Sequence, residues 1–166
     1  MTSYQGSEEL LARMRDLVAE HIHTYVSSQG QAGHIVDLSS PGARGLMPTL
    51  LLQTIGRKSG RRLIVPLIYG VFGGEWVVVG SKGGSPTDPA WYLNLQAQSE
   101  VSFQVATQAF RATWREAQGE EREKVWEYMA HHFPPYPEYQ KSAGRLIPLI
   151  MLRPVAESPL FEAEGG

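Results

Sequence analysis

The chain has 166 residues, 42% of them hydrophobic, which suits one domain with a substantial core. It has no cysteine, which excludes disulfides, thiol nucleophiles and zinc–thiolate sites, and its net charge of −2 argues against a general polyanion binder. No apolar stretch approaches the roughly 18 residues of a membrane span and the N-terminus lacks a signal-peptide pattern, so a soluble, cytoplasmic protein is expected.

Ser7 followed by Glu8 and Glu9 reads as an N-cap with an acidic first turn. Leu10, Met14, Leu17, Val18, Ile22 and Tyr25 then recur at helical spacing, predicting an amphipathic helix over 8–27 that packs on the domain. Its His21 and His23 lie two apart, about 200° around the axis, and cannot converge on one ion. Residues 28–47, with Gly30, Gly33, Ser39-Ser40-Pro41-Gly42 and Gly45, predict a covering loop, so 1–47 form an N-terminal helix and cover.

A meander of strands is predicted next: Pro48 to Thr54, Leu63 to Val71, the turn Phe72-Gly73-Gly74-Glu75, and Trp76 to Gly80. Pro66 implies an edge or a bulge. Between the first two strands, Arg57, Lys58, Arg61 and Arg62 surround Ser59 and Gly60, a loop whose backbone N–H groups, hydroxyl and cations suit an anionic ligand. A solvated β-turn is the alternative. Ser81-Lys82-Gly83-Gly84 is a second basic glycine turn, and two such turns imply one shared anion.

Pro89 predicts the first turn of a short helix through Gln96 that holds Trp91, Asn94 and Leu95 at compatible facings. Residues 101–105 and 110–114 alternate and read as a hairpin; Glu120 to His131 reads as a helix entered from Gly119, with Val125, Trp126 and Met129 on one face. Leu146 to Leu152 reads as a final strand, and 155–166 as a flexible acidic tail after a domain spanning 48–154. The pattern is mainly β with flanking helices, an α+β antiparallel barrel.

No metal site is predicted: His131-His132 sits at a helix end, where imidazolium suits the macrodipole. Ser81 is not in a G-x-S-x-G setting, and Glu116, Glu120, Glu121 and Glu123 suit the start of a helix rather than a paired acid–base site.

Gly56-Arg57-Lys58-Ser59-Gly60, Ser81-Lys82-Gly83-Gly84 with Pro89-Ala90-Trp91-Tyr92-Leu93-Asn94-Leu95, Pro135-Tyr136-Pro137-Glu138-Tyr139-Gln140 and Ile147-Pro148 stand in order along the chain. From about Pro48 to Pro154 this series resembles the deazaflavin-dependent nitroreductase family, which uses coenzyme F420. The resemblance implies a split β-barrel of the FMN-binding kind. It implies an oxidoreductase passing a hydride from reduced F420 to a flat electron-poor acceptor: a quinone, a nitroaromatic or an activated enone.

It further implies that Arg57, Lys58 and Ser59 hold the phosphate and the carboxylate-bearing tail, while the backbone near Ser81, Lys82 and Gly83 meets the ring. Ala90, Trp91 and Asn94 match the cofactor wall, and Pro66 with Leu67 a strand beneath it. Tyr136 and Tyr139 are the implied catalytic donors to the acceptor, in a segment where nitroimidazole-reducing members carry three tyrosines and this chain has Phe133 first. A Pro-braced loop plugging the barrel is the alternative for that segment.

The chain departs from the family at Leu63, where an arginine sits, and at Val65, where threonine or asparagine is usual. FMN, another flavin or heme therefore stays open as the ligand, as does a non-catalytic carrier of a flavin-like or fatty molecule. An RNA-binding barrel working through residues 57–62 conflicts with the acidic charge. The expected partner is a small-molecule acceptor and no nucleic acid, in a monomer or homodimer; peripheral membrane contact through the helix at 8–27 is compatible with a quinone.

Overall fold

Strands rich in Val, Ile and Leu, separated by glycine turns, build the architecture. The computed structural model describes residues 2–38 and 45–163, with side chains from Glu8 onward. In chain order the elements are α1 (Thr2–Ser27), β1 (Ile35–Leu38), β2 (Gly45–Ile55), β3 (Arg62–Phe72), β4 (Glu75–Val79), α2 (Ala90–Leu95), β5 (Glu100–Val105), β6 (Gln108–Glu116), α3 (Gly119–His132), α4 (Pro135–Ala143) and β7 (Leu149–Ser158). A 3-10 turn, Lys82–Gly84, follows β4.

All strand pairings are antiparallel, in the order β1-β2-β3-β4-β7-β6-β5. β5 also pairs back onto β2, with Leu51 opposite Gln104, Leu52 opposite Phe103 and Gln53 opposite Ser102, so six strands close into a barrel. β1 lies outside the ring as a hairpin on the start of β2, Ile35 facing Pro48 and Leu38 facing Gly45. This is the expected α+β antiparallel fold.

Because side chains alternate along each strand, one face of the ring fills its interior with Leu50, Leu52, Val78, Phe103, Ile150 and Leu152, capped by Trp91 and Leu95 of α2. The other face of β4 and β7, with Val77, Leu149 and Met151, packs under Val125 and Met129 of α3 and Tyr136 of α4. Leu51, on the outer face of β2, meets Tyr25 and Val26 of α1 and Phe161.

Pro66 lies as expected. β2 covers one side of it, opposite Leu51, whereas β4 joins β3 only from Tyr69 to Phe72, so the missing N–H leaves no ladder bond unmade.

Six expectations are corrected. Helix α1 starts at Thr2, which puts Ser7 inside it rather than at its cap. Only its C-terminal end packs on the barrel, through Ile22, Tyr25 and Val26, while Leu10, Leu11, Met14, Leu17 and Val18 are each at least 45% exposed. The predicted cover over 28–47 contains strand β1 and the start of β2 at Gly45; Ser39-Ser40-Pro41-Gly42 lies outside the described residues.

The last strand starts at Leu149, three residues later than predicted, and continues through residues 155–158, which pair with β6 instead of fraying. Phe161 is buried and its N–H donates to Gln104 Oε1 at 2.9 Å, so order extends into the expected tail. The Pro-rich segment is helix α4, not a loop: Pro135 and Pro137 occupy its first turn, where an N–H has no intrahelical partner.

Candidate active site

The first basic turn closes on itself. Gly60 N–H donates to Gly56 O (2.9 Å) and Gly56 N–H to Arg61 O (2.8 Å), and Gly60 adopts φ +70°, which glycine permits without strain. Ser59 Oγ accepts the Arg61 N–H at 3.2 Å, so this hydroxyl helps to shape the turn. Lys58 is exposed and has no ion-pair partner among the described residues.

Helix α2, with Pro89 at its N-cap, turns Trp91, Asn94 and Leu95 inward at i, i+3 and i+4. Asn94 is buried, and its Oδ1 accepts both the Arg57 backbone N–H (3.1 Å) and Arg57 Nη1 (2.8 Å). Its Nδ2 lies 3.4 Å from Thr54 Oγ1. The first basic turn is thereby anchored to α2 across the barrel end.

The second turn is more contorted. Lys82, Gly83 and Gly84 have φ of 47°, 63° and 86°, a run in the left-handed region that is unusual at a lysine. Lys82 Nζ donates to Thr87 Oγ1 at 3.1 Å. Gly84 faces α4 so closely that a Cβ there would overlap Ser142 Oγ and lie 3.0 Å from Tyr139 Cα, and Ser142 Oγ donates to Gly84 O at 3.2 Å.

Between the second turn and α4 lies a groove of about 450 Å³. Pro66, Leu67, Ser81, Lys82, Gly83 and Trp91 line it on the barrel side; Phe133, Tyr136 and Tyr139 line it on the other. It adjoins a pocket of about 310 Å³ whose walls include Leu63, Ala90 and Asn94, and the two share Val65, Lys82, Pro89 and Trp91. Of the expected site residues, Lys58 and Ser59 reach neither wall, and Arg57 reaches it through Asn94. Leu63 and Val65 make the second pocket apolar where the family pattern has polar groups.

Tyr136 is buried, stacked on Phe133 with ring centroids 4.8 Å apart, and burial pushes its hydroxyl above the usual tyrosine range. Its hydroxyl makes no hydrogen bond to another described residue, and neither does that of the half-buried Tyr139. Two hydroxyl donors therefore stand in the groove wall without hydrogen-bond partners among the described residues.

Several contributors escape the sequence pattern. Val18 and His21 of α1, Val36 and Leu38 of β1, and Thr49 of β2 complete the groove. His21 Nε2 lies 2.8 Å from Gly33 O, which fixes the helix end over the groove. Arg145 sits behind the second turn; the one signal for it in the sequence is Gly144, which ends α4 at φ +66°.

A groove with apolar walls, Lys82 in its lining and Arg57 held by Asn94 beside the adjoining pocket fits a planar ring carrying an anionic tail. A family model described as F420H(2)-dependent quinone reductase matches residues 17–154. The F420H(2)-dependent quinone reductase Rv1261c of Mycobacterium tuberculosis (strain ATCC 25618 / H37Rv) is 32% identical over 139 residues, covering 82% of this chain and 89% of that protein. Among solved structures, that of F420-H2 dependent reductase (FDR-A) is similar at 41% identity and a TM-score of 0.59, over 64% of this chain and 94% of the other. A structure described as a domain-swapped dimer is similar at 36% identity and a TM-score of 0.61, over 86% of this chain and 98% of the other.

Proposed function

This chain belongs to the F420H(2)-dependent quinone reductase family, and we propose that the groove between its second basic turn and α4, with the adjoining pocket that reaches Asn94, is where reduced cofactor and quinone meet. The protein is an oxidoreductase whose cofactor is coenzyme F420. The observation that carries the site assignment is the pairing of an apolar groove that includes Lys82 with two tyrosine hydroxyls in one wall that have no hydrogen-bond partner among the described residues.

When bound, the deazaflavin ring supplies the hydride. Arg57, pre-oriented by Asn94, and the exposed Lys58 attract the anionic tail, with the Ser59 turn holding both in place. The Ser81-Lys82-Gly83 backbone and Ala90 and Trp91 flank the ring, and Pro66 and Leu67 support it from β3. Apolar walls exclude water from the transfer.

Reducing a quinone to a hydroquinone adds one hydride and one proton. Tyr136 and Tyr139 donate hydrogen bonds to the acceptor oxygen as negative charge develops there. Tyr139, less buried than Tyr136, delivers the proton and recovers one from solvent.

The test is anaerobic turnover of a soluble quinone with reduced F420, alongside equilibrium titration with F420 and with FMN, using Lys58→Ala as control. Turnover, and F420 binding weakened by the substitution, support the assignment. Preference for FMN, or binding without turnover, would replace it with a changed cofactor or a carrier.

The partner assignment extends to a second copy of this chain. The solved relative described as a domain-swapped dimer supports a homodimer. The surface for it is α1, whose exposed Leu10, Met14 and Leu17 recur at four- and three-residue steps, the seam of paired helices. Among the described residues no helix is long and apolar enough to cross a membrane. The lack of cysteine supports a cytoplasmic location, and the acidic net charge supports no role with nucleic acid.

A further inference from the structure

Arg145 occupies the hinge between α4 and β7 with its side chain only 14% exposed. Its guanidinium reaches three backbone carbonyls of the second basic turn: Nη2 lies 3.2 Å from Gly80 O and 3.1 Å from Ser81 O, and Nε lies 3.0 Å from Ser85 O. Nη1 pairs with Asp88 Oδ1 at 2.9 Å. One side chain thus grips the segment 80–88 at both ends and at its middle, while Ser81, Lys82 and Gly83, and not Arg145, line the groove.

That grip matters because of what it spans. Lys82 holds a left-handed φ of 47°, a conformation a non-glycine residue keeps only where its surroundings enforce it. Within the turn itself the enforcement is Gly84 N–H on Ser81 O (2.9 Å) and Ser85 N–H on Lys82 O (3.1 Å). Arg145 bonds the carbonyls on either side of this unit, including Ser81 O, and its planar fork has the fixed geometry to do so.

We propose that Arg145 is a positioning residue for the cofactor: it holds the strained Ser81-Lys82-Gly83 turn in the shape that faces the ring, without itself touching ligand. Since Ser142 ties Gly84 to α4, the same joint fixes the turn relative to Tyr136 and Tyr139. The proposal rests on the assignment of the groove to F420.

The experiment uses the full chain with Arg145→Gln, Lys82→Gly and the double variant, measuring F420 affinity by titration and amide hydrogen exchange of residues 81–88 without ligand. Glycine adopts the left-handed conformation unaided, so in the Lys82→Gly background the arginine has less to enforce. Arg145→Gln is expected to weaken F420 binding about tenfold in the parent and about threefold or less in the Lys82→Gly background, and Arg145→Lys to restore part of the loss.

Exchange at 81–88 is expected to accelerate in Arg145→Gln more than exchange in β4 and β7. An equal loss of affinity in both backgrounds, or exchange that speeds up uniformly, would overturn the proposal by making Arg145 a general stabiliser. Failure of the parent to bind F420 would overturn the groove assignment and, with it, any cofactor role for Arg145. The exchange comparison would then still decide whether Arg145 shapes the turn.

Discussion

The Asn94 carboxamide oxygen lies 3.1 Å from the backbone nitrogen of Arg57 and 2.8 Å from its Nη1, so one buried side chain fixes both the course of the first basic turn and the aim of its guanidinium. An arginine held this way loses less freedom on meeting an anion than an untethered one.

Asn94→Ala leaves the Arg57 N–H without its acceptor and frees the guanidinium. F420 affinity is expected to fall by about 1–2 kcal/mol, with a smaller effect on kcat. Titration and steady-state kinetics check this; equal losses in both would place Asn94 with the reacting groups instead.

Tyr139→Phe removes a donor without altering the fold. Turnover should drop roughly tenfold or more while F420 affinity holds. Unchanged turnover would remove Tyr139 from the chemistry. Burial raises the Tyr136 hydroxyl above 10, so it stays a neutral donor as pH approaches that value, and a rate-against-pH profile should show no loss from its ionisation below pH 10.

Gly84→Ala places a Cβ against Ser142 and Tyr139 at a position with φ +86°. A stability loss of about 1–3 kcal/mol is expected, with a raised KM for the acceptor because α4 is pushed outward. Thermal melts and quinone titration report the two effects separately.

Tyr25 is fully buried; its hydroxyl donates to Thr49 O (2.9 Å) and accepts the Ala106 N–H (2.8 Å). Tyr25→Phe should cost about 1–3 kcal/mol by stranding those groups. Burial raises its pKa to about 12, against 10 for an exposed tyrosine. The folded state therefore holds this proton after the unfolded chain has lost it. Its contribution is complete below pH 10 and declines as pH rises through about 12, so denaturation midpoints should fall over that window less steeply in Tyr25→Phe than in the parent.

Leu17→Glu puts a charge into the exposed face of α1. Sedimentation should show a dimer in the parent and a monomer in the variant. A monomeric parent that pellets with lipid vesicles would assign the face to a bilayer surface instead.

Where the chain carries strong local signals, its sequence reads well. The Gly73-Gly74 pair, both with positive φ, turns β3 into β4, and the alternation at 101–105 and 110–114 gives the β5–β6 hairpin. The far half of β7 was hidden because Arg153, Pro154 and Glu157 look like tail. Pairing with β4 ends at Leu152, so Pro154 needs no donor on that side, while β6 supports it across a bulge at Arg111/Ala112. Helix α4 was hidden by prolines that are tolerated only because they fall in its first turn. The basic turns and α2 were legible as motifs. The contributions of Val18, His21, Val36 and Arg145 were not, because each reaches the site through long-range packing or hydrogen bonding.

The pairing of β2 with β5 that closes the barrel joins only a few residues, Leu51 to Gln53 with Ser102 to Gln104. Arg57 follows β2 and Asn94 precedes β5, so the proposed anion site straddles this seam like a clasp. Ring closure and site assembly are then one event in folding. A ligand seated there resists reopening, and its dissociation becomes a step that unfolding must wait for, so the loaded protein should outlast the empty one against proteolysis.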